Sequence, residues 1–100
     1  MGVPGVVVFV LDEHIIYRSG VTACLAGLAD VDLVVGAGSV AEAREHPRFG
    51  DADVLLIDDD LADTHELIRE VDDNGQARVV VISSWPDERR VIAAVREGLI

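Results

Sequence analysis

Three short apolar runs in this chain each end on oxygen-bearing side chains. Val6 to Leu11 runs into Asp12-Glu13, Val54 to Ile57 into Asp58-Asp59-Asp60, and Val79 to Ile82 into Ser83-Ser84. Carboxylates gathered in threes and fours are the hard ligands that Mg²⁺ takes alongside water and phosphate oxygens. Their chemistry therefore points to a chain that handles a phosphoryl group. For that they must converge, and the runs themselves supply the reason. Short, uninterrupted, β-branched stretches are what strands buried on both faces of a parallel sheet look like. In an open α/β sheet all parallel strands end on one edge, and ligands bind in the crevice there.

The segments between the runs read as helices, giving a β-α alternation with right-handed crossovers. The first helix is expected over about Ile15 to Leu28, with Ile16, Val21, Leu25 and Leu28 facing inward. A second strand, Asp32 to Gly36, leads into Ser39-Val40-Ala41-Glu42, a capping-box pattern opening a short helix that Pro47 and Gly50 close. Asp63 is expected to cap a helix carrying Leu67, Ile68 and Val71, with Asn74-Gly75 as its stop. A last helix should bury Val91, Ile92, Val95 and Leu99.

Half of the 100 residues are apolar, enough for one small domain with a single core built from Val, Leu, Ile and Ala. No apolar run approaches the ~20 residues of a membrane span, and no basic region precedes the first apolar stretch as a secretory signal would require. The single Cys24 excludes an internal disulfide and fits a reducing cytoplasm; mid-helix, it reads as buried packing. Net charge is −11, and every basic residue is Arg. Such a surface repels phosphate backbones, so this segment is not expected to grip nucleic acid.

Together these residues resemble the receiver domain of a two-component response regulator of the NarL/FixJ (LuxR-type) family. Asp12-Glu13-His14 with Arg18, Gly20 and Val21 is similar to the D-D-H-x-x-x-R-x-G-L opening of that family. Val34-Val35-Gly36-Ala37 and Ala41-Glu42-Ala43 resemble its second strand and helix, and Asp53 to Asp58 (DVLLID) its D-V-V-L-L-D strand. Val79 to Ser84 resembles its fourth strand, and Val95-Arg96-Glu97-Gly98 the end of its fourth helix.

The resemblance implies a flavodoxin-like doubly wound α/β fold in three layers, residues 1–100 forming one receiver domain short of the fifth strand and helix. It implies that Asp58 accepts a phosphoryl group from a histidine kinase or phosphotransfer protein in a cytoplasmic phosphorelay. Mg²⁺ would sit on Asp12, Glu13, Asp58 and the Asp60 main-chain carbonyl, and Ser83 would be the switch hydroxyl. A transcriptional output would reside in another domain, and the chain itself would not be an enzyme. Two features depart from the family pattern. The x-x-M-P-x-x-x-G loop is replaced by Asp59-Asp60-Leu61-Ala62 without its later glycine, and the chain has no lysine to pair with the phosphoryl oxygens.

Other readings of the same residues differ in chemistry. A receiver-like module that dimerises without taking phosphate would use the same fold, and a Mg²⁺-dependent phosphohydrolase would use Asp58 and Asp60 as nucleophile and acid. His14 is expected to cap or pack at the start of the first helix, and Gly36 and Gly38 to serve turn geometry. Without a fifth strand, the fourth would be an open edge, so a homo-oligomer through the fourth strand and helix is expected.

Overall fold

The computed structural model describes residues 5–82. Within them the order is β1 (Val6–Leu11), α1 (Ile15–Ala26), β2 (Val31–Ala37), α2 (Val40–Glu45), a 3₁₀ turn (Phe49–Asp51), β3 (Val54–Asp58), α3 (Thr64–Asn74) and β4 (Arg78–Ile82). All pairings are parallel, in the sheet order β2-β1-β3-β4. This is the flavodoxin-like α/β fold, and each apolar run became the strand its composition indicated. Ser83, Trp85 and the expected last helix with Val91, Ile92, Val95 and Leu99 lie outside the described residues.

Strand alternation divides the core between the two sheet faces. Val7, Phe9, Leu11, Leu55 and Ile57 join Val40 and Ala43 of α2 and Leu67, Ile68 and Val71 of α3 in one buried cluster. Phe9 is its centre, fully buried and paired in register with Val35 and Leu55. The rings of His46 and Phe49 meet it edge-on at 5.4 and 5.3 Å. Val8 and Val10 are buried outside that cluster, on the face where the right-handed β1–β2 crossover sets α1.

The capping pattern at α2 forms, with the return bond from Glu42 shifted one residue to Gly38. Ser39 accepts the Glu42 N–H at 3.1 Å, and the Glu42 carboxylate accepts the Gly38 N–H at 2.9 Å. At the end of α3, Gly75 takes φ +60° and its N–H turns back to the Val71 and Asp72 carbonyls, a left-handed stop that suits glycine.

Four local expectations are corrected. Helix α1 ends at Ala26, with Gly27 as its C-cap, and buries none of its residues fully; Ile16 is 90% exposed and Leu28, beyond the helix, 55%. Val21 and Leu25 are half-buried as an inner face requires, whereas Ile16 stands on the outer side of the helix, and Cys24 is exposed as well. Asp63 precedes α3 but its side chain caps nothing. Its φ of 67° places it in the left-handed region, which Asp tolerates better than most residues. Lastly, Gly36 and Gly38 have no positive φ, so turn geometry does not explain them.

Candidate functional site

Strand order reverses at β1, which has β2 on one side and β3 on the other. The crevice at such a switch point lies beyond the carboxyl ends of the strands. Asp12 directly follows β1 and Asp58 is the last residue of β3, so the alternation that made the strands also delivers both carboxylates to this crevice. Both are buried, with side chains 4% and 2% exposed.

Their surroundings differ. Asp12 Oδ1 accepts the His14 main-chain N–H at 2.9 Å and lies 2.9 Å from the His14 ring Nδ1. Asp58 Oδ1 accepts the Asp60 N–H at 3.2 Å, whereas Asp58 Oδ2 is buried without a hydrogen bond. Its nearest cationic candidate is His14 Nδ1 at 3.5 Å. Burial holds the Asp58 carboxyl above its ordinary pKa; the Asp60 N–H works against this, and the Asp12 charge, then a side-chain hydrogen bond with Asp59 and its charge, add to it. The hydrogen bond to Asp12 raises the His14 imidazole above its usual value.

Two groups of donors could hold a cation: Asp12, His14 and Asp58, and Asp58, Asp59 and Asp60. A buried carboxylate oxygen with no hydrogen bond, facing a second buried carboxylate, fits a hard divalent ion well. Of the residues singled out in the sequence, the structure brings Asp58 together with Asp12 in one group and with the Asp59 and Asp60 side chains in the other. Glu13 is exposed and belongs to neither group, and Ser83 lies outside the described residues.

Two residues do more here than their sequence positions indicated. His14 is the N-cap residue of α1, yet its side chain makes no cap bond and turns back to the carboxylates. The sequence signal was its place two residues after Asp12. Arg18, one turn into α1, donates Nη1 to the Asp12 main-chain carbonyl at 2.7 Å. Its stem crosses Gly36 so closely that an added Cβ would lie 3.2 Å from it, and a Cβ on Gly38 would lie 3.0 Å from Nη1. These glycines therefore make room for Arg18, which ties the β1–α1 loop to the end of β2. Replacing Arg18 with Met keeps the stem but removes a charge-assisted hydrogen bond of about 1.5 kcal/mol. In a domain of this size the melting temperature should fall by roughly 6–12 °C, and thermal denaturation followed by circular dichroism checks it.

Comparison with solved structures gives the class. The chain superimposes on a response regulator from Thermotoga maritima with a TM-score of 0.73 and 26% identity, over 92% of this chain and 77% of that one. Response regulator ChrA of a heme-sensing two-component system gives a TM-score of 0.72 at 23% identity, over 96% of this chain and 47% of that one. The fold is that of a response-regulator receiver domain. In sequence the chain is 30% identical, over 94 residues, to the DNA-binding transcriptional activator DevR/DosR of Mycobacterium tuberculosis. It spans 43% of the length of that relative. No family model matches the chain.

Proposed function

We propose that this chain is a phosphoacceptor module of a two-component response regulator, of the NarL/FixJ type, with Asp58 as the residue that takes the phosphoryl group. The observation that carries the proposal is Asp58 Oδ2: buried, without a hydrogen bond, at the carboxyl end of β3 and facing Asp12. A carboxylate oxygen left in that state is one whose partner arrives with a ligand.

In this reading Asp58 attacks the phosphorus of a phosphohistidine on a kinase or phosphotransfer protein. The P–N bond breaks, the imidazole leaves, and an acyl phosphate forms on Asp58. Asp12, Asp58, the Asp60 main-chain carbonyl and Glu13 are the residues that would hold Mg²⁺. When bound, the ion supplies positive charge where the phosphoryl oxygens and carboxylates crowd. Asp12 keeps its carboxylate aimed at this point through the His14 N–H, and Arg18 fixes the loop behind it. Asp60 N–H steadies one Asp58 oxygen and leaves the other for attack. Ser83 would be the hydroxyl that follows the phosphate. Output through DNA would belong to a separate domain of a cytoplasmic regulator; no helix among the described residues is long and apolar enough to cross a membrane.

The test is mass spectrometry after incubation with acetyl phosphate and Mg²⁺. The parent chain should gain one phosphate and Asp58→Asn none. Equal labelling of both would remove Asp58 from its role, and labelling of neither would favour the module that works without phosphate.

The proposal also includes self-association through β4 and the segment that follows it. Among the described residues β4 pairs only with β3, and Val80 stands 39% exposed on it. Sedimentation at micromolar concentration should show a dimer or larger species; a monomer across that range contradicts it.

A further inference from the structure

The phosphoacceptor reading gives the His14 imidazole no ligand role, yet its position is that of a third donor. Nδ1 stands 2.9 Å from Asp12 Oδ1 and 3.5 Å from Asp58 Oδ2, and donor atoms of the three residues all lie within 4.8 Å of one another. Metal–nitrogen and metal–oxygen bonds of about 2.0–2.2 Å put neighbouring donors on one ion roughly 3.0–3.5 Å apart. The 3.5 Å separation from Asp58 matches that spacing, and the 2.9 Å one is a hydrogen bond to Asp12, so ligation through Nδ1 releases any proton held there to solvent.

A second observation points the same way. Asp58 Oδ2, the atom His14 approaches at 3.5 Å, is buried and has no hydrogen bond. His14 itself is 56% exposed on the outer lip of the crevice. That side stays open to water or phosphoryl oxygens as further ligands. Oxygen-only sites suit Mg²⁺, whereas an imidazole suits zinc and its first-row neighbours.

We propose that His14 Nδ1 is a direct ligand in this site, and that it lets the site hold a divalent transition ion of the zinc or cobalt kind. The inference rests on the Asp12–Asp58 metal site of the phosphoacceptor reading. It adds a nitrogen donor to the oxygen ligands and so changes which ions compete there.

Calorimetric titration of the full chain with CoCl₂ and with MgCl₂ tests it, with visible absorption of the Co²⁺ complex as a second readout. His14→Ala should weaken Co²⁺ binding about ten-fold or more, alter the Co²⁺ spectrum, and leave Mg²⁺ affinity within about two-fold. His14→Asn, whose side chain favours the N-cap position and lacks the imidazole, should behave the same way. Unchanged Co²⁺ affinity, or an equal loss for both ions, overturns the proposal. Asp58→Asn separates this failure from that of the site. If Asp58→Asn abolishes binding of both ions while His14→Ala changes nothing, only the nitrogen ligand is wrong. If Asp58→Asn leaves both affinities intact, the Asp12–Asp58 site itself is wrong.

Discussion

Asp58→Asn is expected to make the ion-free domain more stable at neutral pH, by about 1–2 kcal/mol. Asparagine has nearly the same shape, and its amide can donate toward Asp12 where the carboxylate can only repel it. What it removes is a buried charge with one oxygen unsatisfied, set beside Asp12 and Asp59. At this chain length the gain corresponds to a melting temperature higher by roughly 4–16 °C.

The pH dependence has a definite sign. Burial first, and then the neighbouring carboxylates against the Asp60 N–H, raise the Asp58 pKa in the folded state. The native state therefore binds this proton more tightly than the unfolded chain does. The stability Asp58 contributes is complete below its unfolded pKa of about 4 and is lost as pH rises through the higher folded value. The advantage of asparagine should be greatest above the raised folded pKa and shrink as pH falls toward 4. Saturating Mg²⁺ should also narrow it, because an ion bound to the native parent stabilises only the parent. Paired thermal melts at several pH values, with and without Mg²⁺, decide the matter; an Asn variant that melts below the parent at pH 7 would contradict it.

The second large effect concerns Phe9. Phe9→Ala should lower stability by about 3–5 kcal/mol, against a total of roughly 5–15 kcal/mol for a domain. Phe9 is fully buried between Val35 and Leu55, and two aromatic rings meet it edge-on. Its removal empties the centre of the face that β1 shares with α2 and α3, three residues before Asp12. Phe9→Leu retains most of the volume and should cost only about 1–1.5 kcal/mol. Urea denaturation separates the two; similar midpoints for both variants would show that the cluster closes around the gap.

The sequence shows the sheet clearly because parallel strands are written in uninterrupted β-branched runs. Val6 to Leu11 became β1 without a shift, and the runs before Asp58 and Ser83 became β3 and β4, each a residue longer at one end. The convergence of Asp12 and Asp58 followed from strand direction alone. Helix α1 was harder. Ile16 and Leu28 have the spacing of an inner face, but periodicity does not say at which angle a helix meets its sheet. Asp63 has the residue type of a cap and the backbone of a left-handed turn, which its one-letter neighbourhood does not distinguish. The glycines at 36 and 38 looked like turn residues because their partner, Arg18, lies a whole strand away in sequence. His14 reads as part of its own helix because Asp58, one of its two partners, is set by strand order, although Asp12 stands only two residues away.

Helix α1 buries no residue fully, and its first turn is bound to the Asp12 loop through His14 and Arg18. Its order and the order of the acidic crevice are thus parts of one equilibrium. Linkage then works in both directions. A ligand that ordered the Asp12 loop would order the first turn of α1 with it, and anything that ordered that turn, where Ile15 and Ile16 stand exposed, would favour the bound crevice.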